Sequence, residues 1–344
     1  RGIRKSKLHA VLDAAGAVFG ETAGWERPNW FASKGQLRDY DYSYGKQNWH
    51  ENMRTECEAV RTAVGLFDQS SFAKFSVRGP DALTVLEQLS ANSVDVAAGK
   101  GVYTQCLNDR GGIEADLTIT RLDEDDFFVV TSAASQTRDW AWLQRGCRGH
   151  DVQIFDVTDD WSVLGVMGPH SRDLLQSLTE TDLSNESFAF GTMKSVLIDN
   201  AACRALRMSY VGELGWELYI PADQAEAVYR AILAVGETYG LRHAGFHAMN
   251  SLRLEAGYRH WGHDISDEDT PLEGGLGFAI AWEKPGGFVG REALLKQKDA
   301  TKSKRLIQFR VEDPDLITYH DDPIFRDEVY VGRTTGGMWS HVED

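Results

Sequence analysis

The chain has little cysteine, no apolar run of membrane-spanning length and no surplus of basic charge. Its 344 residues include four cysteines, Cys57, Cys106, Cys147 and Cys203, widely spaced and without a C-x-x-C pair. That argues against a disulfide scaffold or a C-x-x-C motif. It points instead to reduced thiols in a bacterial cytoplasm or a mitochondrial matrix. No stretch approaches the ~20 apolar residues of a spanning helix, and the N-terminus lacks an apolar signal core, so no membrane partner is expected. Formal net charge is −16 and the isoelectric point is about 5.1. This disfavours nucleic acid and anionic membrane surfaces. An anionic small ligand is still allowed, because it needs only a local basic pocket. G-x-G-x-x-G, G-x-x-x-x-G-K-[ST] and G-x-S-x-G are all absent. The chain therefore carries no dinucleotide fingerprint, no P-loop and no hydrolase elbow.

What is present is enough apolar material for a sizeable core: 42% of residues are hydrophobic and 10% aromatic. The length predicts two or three units. The most informative stretch is GVYTQCLNDRGGIEADLTITR, residues 101–121. Its two alternating runs flank Asn-Asp-Arg-Gly-Gly, which reads as a β-hairpin. Alternation puts Ile113, Ala115, Leu117 and Ile119 on one face and Glu114, Asp116, Thr118 and Thr120 on the other. An Asp there ordinarily faces solvent. The alternative is a positioned acid/base group at the wall of a site.

Residues 1–50 contain GWERPNWF and a polar aromatic stretch, and read as a connector or the tail of a preceding unit. Helices are predicted over 51–66, 82–90, 135–148, 224–239 and 246–257, and strands over 72–77, 126–132 and 161–167. Strand, Gly-Pro, helix occurs twice, in FSVRGPDALTVLEQL and LGVMGPHSRDLLQSL. That predicts two related α+β units. RMSYVGELGWELYI predicts a second hairpin with its turn at 211–213, carrying Tyr210 and Glu217. The final strands are expected over 305–311 and 328–333. They are too few to close a core, which predicts a β unit that stops short.

On residue chemistry alone, Glu217 lies between Trp216 and Leu218. It either faces solvent or accepts hydrogen bonds in a pocket, where a carboxylate suits an aminopyrimidine edge. Arg253 sits on a helix without an intrahelical acid partner, since Glu255 is only two residues away. His243, His247, His260 and His263 cluster with Asp264, but H-E-x-x-H is missing, so no metal is expected.

Taken in order, these motifs resemble the glycine-cleavage aminomethyltransferase (T-protein) family. YTQCLNDRGGIEADLTITRL is similar to that family's hairpin, and SYVGELGWELYIP to its Y-T-G-E-x-G-[YFW]-E motif. NSLRLEAGYRHWGHDI and FVGREAL match its later motifs. GAVFGETAGWERPNWF with WHENMRTECEAVRTAVGLFDQSSFAKF resembles the dimethylglycine and sarcosine dehydrogenase branch, where a flavin-binding half precedes a folate-binding half. The resemblance implies an α+β cloverleaf of two related subdomains around a folate opening, plus a truncated C-terminal β-barrel. The expected divisions are 1–50 (connector), 51–298 (folate-binding domain) and 299–344 (start of the barrel). It implies tetrahydrofolate as cofactor, FAD only in a preceding amine-oxidising domain in cis, and formation of 5,10-methylenetetrahydrofolate from formaldehyde or an iminium. A stand-alone aminomethyltransferase or demethylase and a non-catalytic folate-binding module are the alternatives. Asp116 takes the catalytic position. Tyr103 lines its pocket, Glu217 with Tyr210 takes the pterin edge, and Arg253 lies near the cofactor. Many members carry two adjacent acids where this chain has Ala115-Asp116, so the role falls on Asp116 alone.

Overall fold

The repeated strand, Gly-Pro, helix pattern is realised twice. Strand Ala73–Arg78 runs through Gly79 into helix Ala82–Leu89, and strand Trp161–Met167 through Gly168 into helix Ser171–Gln176. Gly79 and Gly168 adopt nearly the same backbone, φ +135° and +137°, which L side chains rarely adopt. A Cβ at Gly79 would come within 2.5 Å of the Asp151 carbonyl, and one at Gly168 within 2.3 Å of the Ala63 carbonyl. The computed structural model describes residues 2–300, 304–313 and 315–341.

Each copy belongs to its own sheet. The first is five-stranded, in the order Gly101–Leu107, Ile113–Asp123, Asp126–Thr131, Ala73–Arg78, Gln153–Asp156. The second is six-stranded, in the order Met193–Ile198, Ala201–Leu206, Gly215–Pro221, Trp161–Met167, Val64–Asp68, Leu241–His243. Each sheet buries one face under helices. Phe75, Val77, Leu117 and Ile119 pack on Val85 and Leu86 in the first, and Leu164, Trp216 and Leu218 on Val228 and Ile232 in the second. The opposite faces meet in a seam where Phe128 and Val130 pack against Leu206 and Tyr219. Phe128 and Tyr219 lie edge to face at 5.2 Å.

The expected connector, 1–50, folds against the second unit. Strands Arg4–Lys5, Ala17–Thr22 and Trp25–Phe31 form a small sheet, and Leu8, Leu12 and Ala17 join the core that contains Leu66 and Trp216. Glu56, on helix His50–Thr62, ties this sheet down. It is buried and accepts hydrogen bonds from the Phe31 amide at 2.8 Å and the Gly245 amide at 2.9 Å. Burial pushes its carboxyl up to about 8, against the lowering effect of those two bonds. Glu56→Ala leaves both amides without this acceptor and is expected to cost ~2–4 kcal/mol of unfolding free energy by denaturant titration. A change below 0.5 kcal/mol would show that the strut is dispensable.

Two expectations are corrected. The helix predicted over 51–66 ends at Thr62, and Val64–Asp68 is a strand buried on both faces. The segment 305–311 forms no strand. Leu306 donates to the Glu273 carbonyl at 2.9 Å, but no ladder forms, and Ile307 and Phe309 are exposed. As expected, the C-terminal β unit stops short: it is a two-stranded hairpin, Pro323–Arg326 with Val329–Arg333, and no closed barrel occurs among the described residues. All four cysteines are free. Among the described residues, no helix is long and apolar enough to cross a membrane.

Candidate active site in the seam between the sheets

The hairpin predicted over 101–121 forms with strands Gly101–Leu107 and Ile113–Asp123 and places Asp116 directly opposite Gln105. Residues paired across a ladder share a face, as do residues two apart on a strand. Asp116, Thr118 and Thr120 therefore lie on the face that carries Val130 and Phe128, their partners' side of the seam. Tyr219 meets Phe128, so Glu217, two residues before it, projects into the same seam from the other sheet. The two carboxylates thus lie on the facing sheet faces of one seam. The Thr118 hydroxyl, 4.0 Å from the Met208 sulfur, links the hairpin to the loop preceding Glu217.

Asp116 is half-buried. The Gln105 amide donates to its carboxylate at 2.8 Å, and the Tyr103 hydroxyl lies close enough to stabilise it. Burial nevertheless dominates and raises its pKa to about 6. A carboxyl poised there can take or give a proton near neutrality, which a solvated Asp does poorly. Tyr103 packs beside the exposed ring of Phe278, with centroids 6.3 Å apart. The Gln105 amide oxygen is buried without a hydrogen-bond partner among the described residues.

Glu217 is buried, contrary to its solvent-facing propensity, and accepts from the Tyr219 hydroxyl at 2.5 Å. Burial raises its pKa, and the Tyr219 bond opposes that rise. Tyr210 is not on a strand. The second hairpin pairs Ala201–Leu206 with Gly215–Pro221, leaving Tyr210 in a longer loop. There its hydroxyl donates to the Arg259 carbonyl at 2.5 Å, and its ring stacks on Tyr258 at 5.8 Å. Asp116 is among the charges felt by both Tyr103 and Tyr210.

Arg253 is committed to the protein itself. It is buried in an ion pair with Asp264 and donates to Asn250 at 2.8 Å and to the Tyr258 carbonyl at 3.1 Å. Asp264 also accepts from the His260 amide at 2.9 Å and the Thr335 hydroxyl at 3.1 Å. The pair fixes the loop that carries Tyr258, and so supports Tyr210 indirectly. Asp264→Ala leaves the guanidinium without its carboxylate and is expected to cost ~3–5 kcal/mol in chemical denaturation. A loss under 1 kcal/mol would remove Arg253 from this positioning role.

The histidines split: His243 and His247 go to separate partners, while His260 and His263 stay together beside Asp264. His243 bonds the Tyr229 hydroxyl at 2.8 Å, His247 lies 3.3 Å from the Tyr40 hydroxyl, and the rings of His260 and His263 are 4.5 Å apart. No metal-holding group of three His, Cys, Asp or Glu side chains occurs among the described residues. Asp109 stays in the hairpin turn, and Glu114 pairs with Arg138 at 2.5 Å.

Comparison with known proteins adds a decisive observation. The model of the GCVT N-terminal domain matches residues 8–284. The chain belongs to this family. The matched span includes all five candidate residues and begins well inside the segment read as a connector. The chain is 45% identical over 342 residues to a 4-methylaminobutanoate oxidase (formaldehyde-forming) of Paenarthrobacter nicotinovorans, covering 99% of this chain and 42% of that protein. It is 37% identical over 352 residues to the mitochondrial sarcosine dehydrogenase of Homo sapiens, covering 91% and 38% respectively. The chain thus spans about two-fifths of the length of these relatives. The structure of the glycine cleavage system aminomethyltransferase T from Bartonella henselae superposes with a TM-score of 0.72 at 27% identity, over 86% of this chain and 75% of that one. Within the GCVT domain, sequence reading missed Gln105, Tyr258 and the buried Gln69 beside Glu217. Gln105 had one available signal: hairpin pairing places it opposite Asp116.

Proposed function

We propose that this domain binds tetrahydrofolate in the seam and catalyses transfer of a one-carbon unit at the formaldehyde oxidation level to it. The observation that carries the reading is that Asp116, poised near pH 6, and the buried carboxylate of Glu217 project from facing sheets into the same seam. The residues present suit the cofactor. Glu217 can accept two parallel N–H bonds from an aminopyrimidine edge, and the buried Gln105 oxygen has no hydrogen-bond partner among the described residues. Bound tetrahydrofolate supplies the two nitrogens that become bridged in 5,10-methylenetetrahydrofolate.

With formaldehyde, two N–C bonds would form and the carbonyl oxygen would leave as water with the two nitrogen protons; Asp116 would take the proton released by the reacting nitrogen, pass it to that oxygen, and face the positive charge that develops beside it. Gln105 and Tyr103 fix the carboxyl's direction. Tyr210 and Tyr258 form a stacked aromatic wall. The seam keeps the reactants together, which replaces a bimolecular encounter by a local one. The one-carbon unit is supplied as formaldehyde or an iminium by a flavin-dependent amine-oxidising unit of the parent polypeptide. Support comes from the relatives, which include a formaldehyde-forming oxidase and a sarcosine dehydrogenase.

The protein should accelerate methylenetetrahydrofolate formation from formaldehyde and tetrahydrofolate. The excess over the uncatalysed rate should rise with pH through a single limb near 6, where Asp116 ionises. No acceleration, or an excess rate flat between pH 5 and 8, would overturn the reading.

A further inference from the structure

One buried side chain in the seam remains unexplained by the mechanism. Gln69 follows strand Val64–Asp68 and is fully buried, its backbone amide donating to the Val163 carbonyl at 2.9 Å. Its side chain lies over Gly165, where a Cβ would come within 2.4 Å of the amide oxygen. Gly165 pairs directly with Glu217 across the ladder. The amide is therefore a neighbour of the Glu217 carboxylate, near enough to favour its charged form. Only that approach to Glu217 engages the nitrogen, which keeps a second N–H, and the oxygen of Gln69 has no hydrogen-bond partner among the described residues. Buried amides are almost always paired, so an acceptor left open beside the second N–H, next to Glu217 in the seam, points to a ligand.

We propose that Gln69 selects the reduced pteridine, donating from its amide nitrogen to the 4-oxo group and accepting from the adjacent N5–H. This rests on the folate reading above. In order along its edge, a tetrahydropteridine shows the 2-amino donor, the N3–H donor, the 4-oxo acceptor and the N5–H donor. Glu217 offers two acceptors, and Gln69 a donor followed by an acceptor. An exocyclic group beside a ring nitrogen on a fused bicycle is the geometry that Gln and Asn side chains read on purines. In folic acid N5 carries no hydrogen, so the same edge shows two adjacent acceptors. One amide, in either flip, then matches only one of them. Gln69 is thus a specificity residue for the oxidation state of the ring, and Glu217 binds both states alike.

The test compares tetrahydrofolate with folic acid by anaerobic titration calorimetry, using wild type, Gln69→Leu, the volume-matched Gln69→Met and Glu217→Gln. Wild type should favour tetrahydrofolate at least tenfold. Both Gln69 variants should narrow that ratio at least fivefold, and they should melt at or above the wild-type temperature without ligand, because a buried amide with an unpaired oxygen has gone. Glu217→Gln should weaken both ligands and leave the ratio unchanged. Gln69 variants that bind tetrahydrofolate with the wild-type ratio would overturn this inference alone. A wild-type protein that binds neither ligand would overturn the folate reading and this inference with it.

Discussion

Asp116→Asn should reduce methylenetetrahydrofolate formation at least ~100-fold, the usual worth of a positioned acid/base group, while tetrahydrofolate affinity changes less than about threefold. The same variant should be more stable than wild type at pH 7.5. The sign follows from the raised pKa of about 6. Between the ordinary value near 3.8 and about 6, the folded protein holds a proton that the unfolded chain has released. The contribution to stability is therefore intact below the ordinary value and falls as pH rises through 6. At pH 7.5 the ionised carboxylate is fully penalised. An amide keeps an acceptor for Gln105 without the buried charge. After discounting for the partial exposure of Asp116, the gain is expected at about 1–2 kcal/mol by denaturant unfolding, and it should vanish below pH 4. A variant that retains turnover would remove Asp116 from catalysis. A variant that loses stability at pH 7.5 would show that hydrogen bonds, not desolvation, dominate at this carboxyl.

Glu217→Ala should weaken tetrahydrofolate more than tenfold, because it removes a charge-assisted two-point contact of about 1.5–3 kcal/mol. It also deprives the Tyr219 hydroxyl of its acceptor. Tyr219→Phe is the control: it removes that internal bond and leaves the carboxylate for the ligand, so affinity should stay within about threefold. Full affinity in Glu217→Ala, or an equal loss in Tyr219→Phe, would displace the pterin edge from Glu217. Unlike Asp116→Asn, the Glu217 variant should recover turnover at saturating tetrahydrofolate, since it loses binding and not proton transfer.

The two halves of the site were not equally legible in the sequence. The hairpin around Asp116 could be read directly, because Asn-Asp-Arg-Gly-Gly marks the turn and period-2 alternation assigns the faces. The repeated Gly-Pro turns also survive in the structure, down to matching φ angles at Gly79 and Gly168. Glu217 could not be placed by alternation, because both faces of its strand are buried and a run such as GWELYI has no visible outer side. Val64–Asp68 was hidden for the same reason. A five-residue strand buried on both faces extends the apolar pattern of the helix before it, and periodicity cannot mark where one ends. That loss concealed Gln69, whose meaning depends on lying over Gly165 beside Glu217. Arg253 showed the converse limit. Its helix was visible, but its partner Asp264 lies 11 residues away in a loop that only tertiary packing brings back.

The central claim is that Asp116 and Glu217 belong to one folate site. The most direct measurement is a crystal structure of the protein with tetrahydrofolate bound. The account predicts the ligand in the seam between the sheets, its aminopyrimidine edge on Glu217 and its one-carbon-accepting nitrogens beside Asp116. Ligand bound elsewhere, for example in the depression lined by Arg204 and Trp161, with Glu217 still held only by Tyr219, would contradict it.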